Sequence, residues 1–308
     1  EEILKIHARG KPIAPEVNLR QIAERTPGFS GADLANVLNE AAILAARRNK
    51  KRVETPELRE AVEKVLLGPE RKSYLLSEYE RRVTAYHEGG HALVAHSLPN
   101  ADPVHKISII SRGQAAGYTL KLPSEDRRLH SRAEFIDDLA VMLGGHVAER
   151  EIFGDVTTGA SNDLRQATRL ARKLVTEYGM SQKLGPRTFG EREELIFLGR
   201  EITEQRDYSE KVAEQIDAEI SKLIGDATET ARSILRRERA TLEKIVEILL
   251  DKEIIEKDDF EALFSTHPHL ERELRERGSP PGNGLPTEDK PKTSGNNKRV
   301  GAIKPATP

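Results

Sequence analysis

The chain has 308 residues, of which 32% are charged and 4% aromatic, with no cysteine or tryptophan and a formal net charge of -2. That length holds about two domains, and the composition favours helices over an all-β fold. The near-neutral balance gives no global field for nucleic acid, the lack of cysteine excludes disulfides and thiolate metal sites, and no apolar run approaches the ~18 residues of a membrane helix.

Residues 1–68 read as a small helical unit. The opening EEILKIHARG looks like mid-helix, which predicts a piece of a longer protein. A first helix over Glu1 to Arg9 ends at Gly10 and Pro12, and a second covers Leu19 to Glu24. After the turn Pro27-Gly28-Phe29, Ser30 caps a long third helix with Asp33 in its first turn, where a negative charge suits the dipole. Leu34, Val37, Leu38, Ala41, Ala42 and Ala45 form its apolar stripe. The basic stretch Arg47 to Arg52 reads as a solvated helix end. Thr55-Pro56 opens a fourth helix, with proline in the first turn, that runs to Leu67 before Gly68. The unit lacks GxxxxGK[ST] and cannot hold a nucleotide phosphate alone. Residues 69–80, PERKSYLLSEYE, read as a polar connection.

The stretch Thr84 to Ser97, TAYHEGGHALVAHS, carries His87-Glu88-Gly89-Gly90-His91. Histidines four apart on a helix share a face and can hold a divalent metal, with zinc suiting them best. Glu88 is turned aside from that face, where it can accept a proton from water rather than bind metal. Ala85, Tyr86, Ala92, Leu93, Val94 and Ala95 make the helix apolar nearly all round, so it should be buried, and its buried polar groups then need partners. Gly89 and Gly90 each cost roughly 1 kcal/mol relative to alanine in a helix, which predicts close backbone approach there. Pro99-Asn100 stops the helix, and His96 falls on the opposite side as a packing or surface residue.

Val104 to Ile110 and Gly117 to Leu122 read as strands, joined by a turn at Ser111-Arg112-Gly113. In the second, Tyr118, Leu120 and Leu122 alternate with Thr119 and Lys121. A two-stranded piece leaves an open edge, which can accept an extended peptide or simply belong to a hairpin covering the metal helix. Ser131-Arg132-Ala133-Glu134 is a capping box opening a helix with Phe135, Ile136, Leu139, Met142, Leu143 and Val147, interrupted by Gly144 and Gly145 for close helix packing. Thr157 to Ser161 is a loop. Ser161 or Asn162 then caps a helix with the buried stripe Leu164, Ala167, Ala171, Leu174, Val175 and Tyr178, ended by Gly179. From Asp207 to Phe264 the chain is again helical, with stripes at Val212, Ile216, Ile220, Leu223 and at Ile234, Leu235, Leu242, Ile245, Val246, Leu249, Leu250 that serve packing and subunit contact. Residues 265–308 form a Pro-, Gly- and charge-rich tail expected to be disordered.

Catalytic zinc usually has three protein ligands, and the motif supplies two. No HExxHxxGxxH extension is present, so the third candidates are Glu149, Glu151 and Asp163; the other common zincin arrangement, a glutamate from a downstream helix, favours Glu149, and Asp163 is also readable as a helix-start charge.

The string TPGFSGADLANVLNEAAILAARR resembles the helical lid of AAA+ ATPases, and with HExxH downstream the chain resembles the FtsH family of membrane-anchored, ATP-dependent zinc proteases over residues 1–265. TTGASNDL matches the family signature whose aspartate binds zinc, which implies Asp163 as third ligand to His87 and His91, with Glu88 as general base. Where the family usually reads Ala-Glu-Glu, this chain has Ala148-Glu149-Arg150, which excludes a metal role at position 150 and leaves Glu149 as a partner for a ligand histidine. The usual HEAGH is HEGGH here, which leaves the ligands unaltered.

The resemblance implies a mainly α fold: a four-helix AAA lid over 1–68, a linker over 69–80, a zincin-type peptidase domain with a small two-stranded β element over 81–265, and a tail over 266–308. It implies membrane helices and a Walker-motif ATPase core before Glu1, with ATP and Mg²⁺ used only by the whole protein. In that family the lid closes over adenine, and His7, Gly31 and Ala32 are the matching positions. It further implies a homo-hexameric ring at the cytoplasmic face of the bacterial inner membrane, degrading unfolded or membrane proteins, with the open strand edge taking substrate. Competing readings are a proteolytically silent chaperone or assembly module of an AAA+ ring, and a helical adaptor.

Overall fold

A computed structural model describes residues 1–70, 76–113, 115–122, 129–190 and 208–264. The tail expected after residue 264 and the middle of the linker lie outside them.

The first four helices are α1 (Glu2–Ala8), α2 (Leu19–Glu24), α3 (Gly31–Arg47) and α4 (Thr55–Leu67). At α2 and α3 a side chain satisfies free amide groups of the first turn. Asn18 accepts from the amides of Arg20 and Gln21, and Ser30 and Asp33 form a reciprocal capping box. The apolar stripes meet in one core of Leu4, Ile22, Val37, Leu38, Val53 and Leu58. On α3, Leu44 is buried and Ala42 only half-buried, a small rotation from the expected stripe. The basic helix end is paired as well as solvated: Arg48 reaches Glu57 at 2.8 Å and Lys50 reaches Glu54 at 2.7 Å.

The second, larger core is built round α5 (Glu78–Ser97). This helix begins within the stretch read as linker, because Ser77 and Glu80 form a capping box there. Its glycines explain how it is enclosed. A Cβ on Gly90 would lie 2.6 Å from the Ala148 Cβ and 2.7 Å from the Gly144 carbonyl, so α5 and α6 (Arg132–Phe153) touch backbone to backbone. On Gly89 a Cβ would meet Leu242 at 3.2 Å and Ile245 at 3.3 Å, where α9 (Arg239–Lys252) packs. The long α8 (Glu210–Arg237) and α7 (Ser161–Thr176) complete the layer through Ile216, Ile220, Ala227, Ala167 and Ala171. A single 3-10 turn over Thr158–Ala160 leads into α7, whose first residue is Ser161 with no side-chain cap. The α7 stripe is shorter than expected: Leu164 and Tyr178, near its ends, are 36% and 45% exposed, and Tyr178 stacks on Phe135.

The sheet has three strands rather than two: β1 (Val104–Ser108), β2 (Tyr118–Lys121) and β3 (Ile254–Glu256), in the order β2-β1-β3, all antiparallel neighbours. Ile107 stands opposite both Thr119 and Ile255. The third strand is three residues long, too short for an alternation to announce it. It precedes a last short helix, α10 (Lys257–Ala262). Strand β2 remains an edge among the described residues. Its apolar side, Tyr118, Leu120 and Leu122, packs on Leu67 of α4, so its polar side faces α5. No described helix is long and apolar enough to cross a membrane.

Candidate metal centre

Helix α5 stacks His87 and His91 one turn apart with ring centroids separated by 4.7 Å. Each ring is turned by a partner on its Nδ1. His91 donates to the Val141 carbonyl at 2.7 Å, and His87 meets the Glu149 carboxylate at 2.7 Å. Both Nε2 atoms therefore face a common point, 3.0 Å from each other. Asp163, in the first turn of α7, brings its Oδ2 to 3.3 Å from the His87 Nε2 and 3.7 Å from the His91 Nε2. All three ligand-type atoms lie within 4.8 Å of one another.

These residues fit zinc. Ligands of a tetrahedral zinc at about 2.0–2.1 Å stand roughly 3.3 Å apart, close to the 3.0, 3.3 and 3.7 Å found here. Space is kept by Gly145 of α6, where a Cβ would come within 2.6 Å of the Nε2 atoms of both histidines.

The charges favour a cation. Burial opposes a proton on His87, but the Asp163 and Glu149 carboxylates outweigh it and hold the imidazole up at about 10. Burial also works against ionised Asp163, yet His87 and His91 keep it well below the usual carboxylate range. Glu149 is 1% exposed; burial would raise it, but His87 and the Thr157 amide, which donates at 2.6 Å, hold it down. A cluster that grips a proton between two carboxylates is suited to a divalent ion in the same place.

Glu88 is 7% exposed and lies beside this cluster. The Thr119 hydroxyl of β2 donates to its Oε2 at 2.8 Å and sits 3.1 Å from its backbone carbonyl. Lys121, on the same side of the strand, is pushed below the ordinary lysine value by burial, against the pull of Asp138, Asp102 and Asp163.

Of the three candidates for the third position, the fold brings in Asp163 and sets Glu149 behind His87. Glu151 points away, paired with Arg232 at 3.1 Å and Arg236 at 2.7 Å on α8. His96 stacks on Phe264 at 3.6 Å, as a packing residue. His7 lies on α1, where its carbonyl accepts from Lys11 at 2.9 Å, and Gly31 and Ala32 open α3, all in the smaller unit. Sequence reasoning missed Thr119, the Val141 carbonyl and the Thr157 amide. For the last two no signal exists, since any residue has a carbonyl and almost any an amide. Thr119 stood in the polar half of an alternating strand, which is where a group serving a polar site belongs.

Residues 74–263 match the model for peptidase family M41, and residues 16–60 match the AAA+ lid domain. Similar proteins include the ATP-dependent zinc metalloprotease FtsH 1 of Sphaerobacter thermophilus, 57% identical over 85% of this chain and 40% of its own length. The ATP-dependent zinc metalloprotease FtsH of Chloroflexus aggregans is 53% identical over 94% of this chain and 45% of its own, and that of Thermotoga maritima is 52% identical over 86% and 44%. The chain thus spans less than half the length of these curated relatives.

Proposed function

The chain belongs to peptidase family M41, and from that premise we propose that it is a zinc-dependent endopeptidase, with zinc held by His87, His91 and Asp163 and Glu88 as general base. The observation that carries the reading is the convergence of two Nε2 atoms and one carboxylate oxygen on one point, with both Nδ1 atoms already engaged. The relatives' printed names, which include zinc and metalloprotease, support it.

Zinc held there would supply Lewis acidity, lowering the pKa of water at the site toward about 7 and withdrawing electron density from a peptide carbonyl. The rest falls to the chain itself. Glu88 accepts a proton from the attacking water on its carboxylate and returns it to the departing amine nitrogen. Glu149 and the Val141 carbonyl fix the ring planes of the two histidines. The β2 edge lies against the helix that carries Glu88, so an extended peptide added to that edge is delivered to the base.

The AAA+ lid match and the relatives' names support extending the proposal to the whole protein. There, ATP hydrolysis in a homo-hexameric, membrane-anchored ring feeds unfolded or membrane proteins to this site on the cytoplasmic side, with His7, Gly31 and Ala32 beside the nucleotide. These 308 residues contain no GxxxxGK[ST], so alone they are expected to cut already unfolded chains without ATP.

The test is metal analysis with casein digestion, with and without chelator. Glu88→Gln should keep zinc and lose cleavage by about a hundredfold or more. A Glu88→Gln protein cutting at the wild-type rate would remove the base assignment. Less than half an equivalent of zinc per chain would favour the silent assembly module.

A further inference from the structure

We propose that Thr119 is a positioning residue for the Glu88 carboxyl, so that strand β2 aims the base of the reaction. The proposal rests on the peptidase reading above and deepens it. Among the described residues, the Thr119 hydroxyl is the hydrogen-bond donor to the buried Glu88 carboxylate, at 2.8 Å. A glutamate side chain has three rotatable bonds, and in a residue only 7% exposed its direction is set by protein partners rather than by bulk solvent. The same hydroxyl lies 3.1 Å from the Glu88 backbone carbonyl. A hydroxyl both donates and accepts. Thr119 can therefore donate to Oε2, or accept from that oxygen when it carries a proton while turning its own hydrogen to the carbonyl.

A second observation places the strand independently. Gly117, immediately before β2 and two residues from Thr119, is buried so tightly that a Cβ there would lie 3.0 Å from the Glu88 Cγ, 2.8 Å from the Thr84 Cγ2 and 2.7 Å from the Ser108 carbonyl. The strand thus clasps one turn of α5 twice, sterically at Gly117 and by hydrogen bond at Thr119. On the far side, Tyr118 is held by Glu63 at 3.1 Å and by packing on Leu67. The donor is consequently anchored to both units of the chain rather than to a loose edge.

Thr119→Val keeps the shape and removes the hydroxyl, whereas Thr119→Ser keeps the hydroxyl. With an unfolded casein peptide as substrate, Thr119→Val should retain zinc and KM within about twofold and lose kcat by roughly tenfold to a hundredfold, the scale of a misplaced catalytic group. Thr119→Ser should recover kcat to within about threefold of wild type. Wild-type kcat in Thr119→Val, or an equal loss in Thr119→Ser, overturns the proposal. A readout free of turnover is a thermal double-mutant cycle on chelator-treated protein. Thr119→Val should lower Tm in the wild-type background and much less in a Glu88→Ala background; equal lowering in both also overturns it. A wild-type chain that holds no zinc and cuts nothing would instead remove the peptidase reading, a failure seen before any variant is made.

Discussion

Gly145 shows how little separates a metal site from a filled helix interface. Every other residue type would place a Cβ within 2.6 Å of both Nε2 atoms. Gly145→Ala should favour helix α6 by about 1 kcal/mol in propensity, so a loss of metal cannot be blamed on a weakened helix. The expected result is zinc affinity reduced at least about tenfold in chelator competition, with cleavage lost in parallel. Wild-type zinc affinity in that variant would show that the rings do not depend on this gap. The same scale explains why the zincin arrangement favoured Glu149 where the fold sets Asp163 beside the Nε2 atoms and Glu149 on the His87 Nδ1. Glu149 and Glu151 are two residues apart on α6, so one faces the α5 histidines and the other the α8 arginines. Asp163 reaches His87 across 76 positions of chain. No local pattern contains that distance.

Elements meet at Glu63. This α4 residue is 5% exposed, and its carboxylate accepts from Lys106 of β1 at 2.9 Å, Arg112 of the following turn at 3.1 Å and the Tyr118 hydroxyl of β2 at 3.1 Å. Burial and the Glu63 charge together push the Tyr118 phenol up to about 12. Removing one partner from a buried charge cluster costs about 3 kcal/mol or more, because the remaining charges are left without compensation. Glu63→Leu takes the most buried partner from both Lys106 and Arg112, which keep only the more exposed Glu256 at 3.3 Å and Glu70 at 2.7 Å. It should lower Tm by roughly 6–12 °C for a chain of this size, measured by thermal unfolding. A fall of under about 2 °C would mean that the two units do not lean on this contact. The sequence offered Arg112 only as part of a turn, and singled out no role for Glu63.

For the whole molecule, the centre ties folding to pH and metal. In chelator-treated protein His87 titrates near 10 when folded against 6.5 when free. Its stabilising contribution is complete below about pH 6.5 and is lost as pH rises toward 10. Asp163 has the opposite sign: its folded value is depressed below 3.8, so its contribution is present above that pH and is lost on acidification. Metal-free Tm should therefore decline between pH 6.5 and 9. Zinc must displace the His87 proton, so its affinity should rise over the same interval, and a hundredfold excess over Kd should add about 2.7 kcal/mol. A metal-free Tm that climbed from pH 6.5 to 9 would contradict the charge arrangement.

The sequence by itself determined the helices, because caps such as Ser30-Asp33 and Ser131-Glu134 and the apolar stripes are local properties of the chain. It also set the face on which His87 and His91 stand, since a helix fixes side chains four apart, and the HExxH and TTGASNDL strings carried the family. Tertiary packing alone decided which carboxylate reaches the imidazoles, that the apolar side of β2 turns to α4 and its polar side to Glu88, and that three residues after α9 close the sheet. The physical reason is range. Helical periodicity and capping act over one or two turns, whereas a metal centre and a sheet are contacts between segments far apart along the chain, chosen by how whole faces bury against one another.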